Sequence, residues 1–220
     1  RLAPTLVYGY TYPLFVVNYH LPYILAEPFM LVIGDAVFAY KAIMSASFVL
    51  GAVFVFLFFR KIASDFASLC GAVVYCYNPY RFASLYHRGA IGESLAIALL
   101  PLIFLGFHKI AEGSKHALPF TALAVFAVIN SHSLILLISA PLFLVYILFF
   151  LKLNMRKFLQ IGIAFLWGFA LSAFQILPSL FEKKFMKFDE ILLSHYNEYF
   201  RNFFQIYGLP LNEINRNFYF

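Results

Sequence analysis

Charge is scarce in this chain. Only 12% of its 220 residues are Asp, Glu, Lys or Arg, against 63% hydrophobic. Runs such as 37–59 and 158–178 contain almost no charge, and about 20 apolar residues suffice to cross a bilayer. A water-soluble globular class is thereby excluded: lipid, not water, surrounds most of the surface. Cysteine is nearly absent too. Cys70 and Cys76 stand six apart in one apolar segment, where a helix would point them in different directions, so neither a disulfide nor a metal pair is expected. There is no GxxxxGK[ST] phosphate loop, no GxGxxG, no HExxH and no CxxC. No long internal repeat or low-complexity tract interrupts the chain. It opens Arg1-Leu2-Ala3-Pro4 with no secretory leader pattern, and it is read as a piece of a longer protein.

What is present is an all-α integral membrane pattern. Six candidate spans emerge, at roughly 37–59, 63–78, 92–108, 117–131, 133–151 and 158–178. Residues 1–36 read as an extracytoplasmic or interfacial segment, 37–178 as a helical bundle, and 179–220 as the start of an outer loop or domain. Within 13–33, Asn18, His20, Glu27, Pro22 and Pro28 argue against a lone lipid-facing span. They favour a broken helix lying along the interface; the alternative, a span, would move the N-terminus to the cytoplasm and leave the other assignments as they are. The Ala42/Ala46, Ser47/Gly51 and Gly168/Ser172 spacings permit close helix approach.

The net charge of +6 is unevenly placed. Arg60-Lys61, Lys109 with Lys115, and Lys152, Arg156 and Lys157 fill alternate connections. The positive-inside rule puts those connections in the cytoplasm. It turns 79–91, the Asn130-Ser131-His132-Ser133 turn and the residues after Pro178 outward.

The chemistry-bearing residues cluster in 78–93. Asn78 suits a helix cap and Pro79 a first helical position. A helix from there would gather Arg81, Ser84, Leu85 and Arg88 on one face. Paired arginine forks fit phosphate oxygens; arginines that merely snorkel to lipid head groups fit the same pattern. His87 and Glu93 lie in the same stretch. Glu93 is favoured at a helix start, and either pairs with Arg88 or meets a sugar hydroxyl. His132 in its turn is a candidate ligand contact or a backbone-bonded histidine. Glu182 follows the last span and either binds or is neutralised by Lys183 and Lys184. Asp35 is placed to cap the first span.

Several segments resemble a known family. They are GYTYPLFVVNYHLPYIL, YCYNPYRFASLYHRGAIGESLAIALLPL, INSHSLILLISAP and ILPSLFE, in order. The core is Tyr86-His87-Arg88-Gly89-Ala90-Ile91-Gly92-Glu93, followed by Pro101. The chain resembles the 6-pyruvoyl-tetrahydropterin synthase-related membrane proteins. These are similar in turn to the YfhO-like proteins and the GT-C class of polytopic glycosyltransferases. The resemblance implies a GT-C-like bundle with an extracytoplasmic active face and a polyprenyl-phosphate-linked sugar as donor. The product would be a cell-envelope glycan or glycolipid. It also implies an acidic base upstream of residue 1, so no catalytic residue is assigned. Arg88, Arg81, Glu93, His87, His132 and Glu182 are the candidates for donor-phosphate or substrate binding. Expected partners are membrane lipid, the polyprenyl-phosphate sugar and a glycan or lipid acceptor, with no nucleic acid. No cofactor is identified; a divalent metal is left open with nothing in the sequence to support it. The rival expectation is a non-catalytic scaffold or lipid-binding component of envelope assembly. A transporter fits less well, for want of charge at mid-span in a discontinuous helix pair.

Overall fold

The computed structural model describes residues 19–151 and 153–182, and every element among them is helical. The expected outer loop or domain beyond residue 182, the first 18 residues and Lys152 lie outside the described residues. In order the elements are α1 (Leu21–Ile33), α2 (Ala36–Phe59), α3 (Asp65–Cys76), α4 (Pro79–Phe82) and a π-helical turn (Ala83–His87). Then come α5 (Ile91–Glu112), α6 (Ala117–Phe150), α7 (Met155–Leu171) and α8 (Ala173–Glu182).

Local sequence starts these helices. Asp35 Oδ1 accepts from the Val37 and Phe38 amides at 2.8 and 3.3 Å, as its position at the head of α2 predicts. Ser64 caps α3, Asn78 caps α4 ahead of Pro79, and Asn154 caps α7. Each supplies an oxygen to an amide that has no intrahelical partner.

Three helices, α2, α5 and α6, are long and apolar enough to cross a membrane, or four if the bent pair α7 and α8 counts as one span. The expected span at 63–78 is a 12-residue helix, too short to cross alone. The segment expected to be a broken helix is one continuous 13-residue helix over Leu21–Ile33 with Pro28 inside it, also short of a crossing. The sixth expected span bends by 67° between α7 and α8, short of its predicted end at 178.

α6 is 34 residues long, but His132 inside it has φ −167° and ψ 100°. Contacts on either side reveal what that residue does. Before it, Gly106 lies against Thr121 and Gly92 against the Ser131 carbonyl. After it, Phe143 packs on Phe104 and Phe107, and Tyr146 on His108. The chain therefore climbs along α5, reverses at His132 and descends the same helix. The arms 117–131 and 133–150 are antiparallel, as the sequence had divided them. One extended residue suffices because the flanking helices need only fold back.

The core is aromatic. Phe58, Phe104, Phe107, Phe143 and Tyr146 bury against one another, with Val125, Val128 and Ile161 alongside. Outside it, Val32, Phe66 and Phe149 stand 84%, 78% and 79% exposed, a surface suited to hydrocarbon.

The basic turns gather at one end. Lys61 pairs with Glu112 at 2.7 Å, Lys157 donates to the Ala111 carbonyl, and Lys109 lies over Phe120. The opposite end carries Tyr19, Tyr40, Gly89, Glu93 and His132.

Candidate functional site

The segment from Asn78 to Glu93 occupies that opposite end, and it does not form the single helix its spacing predicts. After one turn of α4 the chain widens into the π-helical turn, in which the Arg88 amide donates to the Ala83 carbonyl five residues back. The Ala90 amide reaches Ser84 O, and Gly89 adopts φ +57° to turn the chain into α5. A π turn advances fewer degrees per residue than an α turn. Arg81 and Arg88 therefore leave the shared face that regular helical spacing would give them.

Arg81 is buried, at 3% exposure. Its Nη2 donates to the Ser47 carbonyl at 2.9 Å, halfway along α2. The guanidinium lies 4.3 Å from the Phe48 ring and 5.4 Å from the Tyr75 ring. Among the described residues it makes no ion pair, so ring faces and one carbonyl stand in for a counter-ion. The Ser47/Gly51 pair admits this guanidinium rather than a neighbouring helix: a Cβ on Gly51 would stand 2.5 Å from Arg81 Nη1. Gly168/Ser172 does serve helix approach, with Gly168 against Val125 and Ala122.

Arg88 goes the other way. Its Nη1 lies 3.0 Å from Glu93 Oε2 and 3.4 Å from the Tyr80 hydroxyl. The Tyr80 hydroxyl donates to Glu93 Oε1. The Arg88 side chain is 56% exposed, that of Glu93 only 3%. The buried carboxylate is thus a fixed anchor for a half-exposed arginine, whose Nε and Nη2 make no hydrogen bond among the described residues. Beside it, the exposed rings of Tyr80 and Tyr86 face the surroundings.

His132 sits at the hairpin tip, its ring 5.8 Å from Tyr19 and within electrostatic reach of Arg88. Gly92 permits this closeness. A Cβ there would stand 2.4 Å from both Ser131 O and the Tyr19 ring. His87, last residue of the π turn, is exposed. Glu182 is the last residue of α8 and falls in a second compact unit that begins at Phe181.

The structure thus joins Arg88, Glu93 and His132, and it separates Arg81. It adds Tyr80, Tyr19 and Gln175, which the sequence reading passed over, and Asn130 and Ser172, which that reading named only as a turn and a helix-packing residue. Tyr80 is the one with a sequence signal, lying between the helix cap and Arg81 as a polar ring in the same segment. Among the described residues, no three His, Cys, Asp or Glu side chains are grouped to hold a metal ion.

The model of a membrane-protein family, the 6-pyruvoyl-tetrahydropterin synthase related domain, matches residues 17–219. The chain belongs to this family. The match takes in every described element, from the residues before α1 to the end of α8. For this member of the pyruvoyl-tetrahydropterin synthase related family, the segment that carries the Arg88–Glu93 cluster lies well inside the matched region. No curated protein and no solved structure matches the chain.

Proposed function

We propose that this chain carries the donor-binding face of a GT-C-like, multi-pass glycosyltransferase of the cell membrane. It uses a polyprenyl-phosphate-linked sugar at the extracytoplasmic side, in cell-envelope glycan or glycolipid synthesis. The observation that carries the reading is the Arg88–Glu93 pair: an exposed arginine side chain held by a buried carboxylate through Nη1 alone. A guanidinium edge matches two phosphate oxygens at once. Tyrosines beside it suit the membrane interface, where a lipid-linked phosphate presents its head group.

The collection of Lys61, Lys109 and Lys157 at the far end supports the orientation. The antiparallel arms of α6, with α2, α5, α7 and the broken path from α3 through the π turn, support six passes. In this reading Arg88 stabilises charge on the leaving phosphate as the sugar–oxygen bond breaks. Glu93, already engaged by Tyr80 and Arg88, orients that arginine and does not serve as the base. Arg81 is a brace between α2 and α4, not a second phosphate ligand.

The test is Arg88→Lys in the full-length protein. Lysine keeps the charge and loses the fork. Sugar transfer from a polyprenyl-phosphate donor is expected to fall at least tenfold, and unchanged transfer refutes the role of Arg88.

A further inference from the structure

A second polar cluster lies beside the first, at the junction of the hairpin tip and the α7–α8 bend. Asn130 and Ser172 are each no more than 1% exposed, and Gln175 is 8% exposed. Asn130 Nδ2 donates to Phe126 O at 2.8 Å and to Ser172 Oγ at 2.9 Å. The Ser172 hydroxyl hydrogen is already committed to Gly168 O, at 2.9 Å. Toward Asn130 this hydroxyl can therefore only accept, which fixes the amide orientation. Asn130 Oδ1 is then an acceptor with no donor. Gln175 Oε1 and His132 Nδ1 are also buried without a hydrogen-bond partner. Tyr19 packs on His132, His20 packs edge-on against Phe174, and Gln175 follows Ser172 by one turn, its amide N–H donating to the Ser172 carbonyl at 3.0 Å.

Buried polar atoms are rarely left without partners, and each such atom needs an explanation. Here one orphan is a fixed acceptor, Asn130 Oδ1, and beside it stand the Gln175 amide, whose side chain makes no hydrogen bond among the described residues, and an imidazole nitrogen that accepts in one tautomer. A metal ion is a poor match, since no carboxylate belongs to the cluster and Arg88 places positive charge nearby. A neutral ligand presenting several O–H donors fits it well.

We propose that Asn130, His132 and Gln175 form a hydroxyl-recognising subsite for a sugar ring, adjoining the Arg88 phosphate position. The subsite deepens the transferase reading and rests on it for the choice of a sugar among hydroxyl-rich ligands. A site built to bond hydroxyls discriminates strongly against ligands that lack them, because its own buried groups would stay unpaired.

The experiment uses the full-length protein in lipid nanodiscs and saturation-transfer NMR. The probes are the methyl α-glycosides of glucose, mannose and galactose, with methoxycyclohexane as the hydroxyl-free control. At least one glycoside is expected to receive saturation on its ring protons, and the control none. Gln175→Met, close in shape, is expected to weaken that binding at least tenfold without lowering the melting temperature, because it removes an orphan acceptor rather than a made bond. His132→Phe is expected to weaken it as well. The proposal is overturned if no glycoside binds the folded wild type, which would leave the acceptors to water. It is equally overturned if Gln175→Met binds as well as wild type or melts earlier. Glycoside binding that depends on Gln175, in a protein without polyprenyl-phosphate transfer, would sink the transferase reading and keep the subsite. Intact transfer with Gln175-independent binding would do the reverse.

Discussion

The Tyr75 hydroxyl stands in for the backbone N–H that Pro101 lacks. A residue at position 101 of α5 would ordinarily donate to the Ile97 carbonyl, and proline has no hydrogen to give. Tyr75 Oη donates to that same Ile97 oxygen at 2.6 Å, from α3. In a membrane protein a freed carbonyl must find such a partner inside the fold. Tyr75→Phe should therefore cost about 1–3 kcal/mol, the penalty of an orphaned buried acceptor. Pro101→Ala restores the intrahelical donor, so the double variant should recover most of the loss. Thermal unfolding of the four proteins in detergent measures the coupling. Additive losses would mean that Tyr75 acts elsewhere.

The Arg88–Glu93 pair is asymmetric in burial, and its two halves should respond unequally to removal. Arg88→Ala leaves a buried carboxylate with only Tyr80 as partner, whereas Glu93→Gln leaves an arginine that its surroundings can solvate. The first variant is expected to lower the unfolding temperature more than the second, and Arg88→Ala in a Glu93→Gln background should add little. Denaturation of the three variants checks the order. The opposite order would mean that Glu93 gains nothing from its arginine.

The reversal at His132 predicts a cross-link. With Cys70 and Cys76 replaced by serine, cysteines at 107 and 143 should join under mild oxidant or a short bifunctional reagent, since those rings stand 5.7 Å apart. A continuous α6 would instead carry residue 143 about 18 Å beyond residue 131. Absence of any cross-link in the folded protein, read by mass spectrometry, would contradict the hairpin.

Orientation is open to labelling. His87 is exposed at the end opposite the basic turns, while Ser84 is fully buried. A cysteine at 87 is expected to react with an impermeant maleimide added outside intact cells, and one at 84 to stay unreactive until the protein is unfolded. Labelling of position 87 only after the membrane is opened would invert the topology.

Much of the fold was readable because it follows from local rules. Asp35 and Asn78 cap where the sequence placed them, and Ser64 and Asn154 cap by the same local chemistry. The two arms of α6 were separable in the sequence because Asn130, Ser131, His132 and Ser133 interrupt an otherwise apolar stretch. The candidate site was half readable. Arg88 with Glu93 emerged from their proximity in the chain. The π turn did not, since regular spacing assumes a regular helix, and it sends Arg81 into the bundle and Arg88 out of it.

By itself, then, the sequence determined a membrane-embedded helical chain, the helix starts at Asp35 and Asn78, the sorting of its basic turns and the nearness of Arg88 to Glu93. These depend on composition and on residues a few positions apart. Only the tertiary structure decided that Arg81 rests on Phe48 and Tyr75, that Tyr75 repairs the gap left by Pro101, and that Asn130 meets Ser172. Apart from Arg81 on Tyr75, six positions away and set by a local winding no pattern announces, those contacts join residues 22 to 42 positions apart in the chain. They exist because buried polar groups without water must be satisfied by whatever the packing brings near.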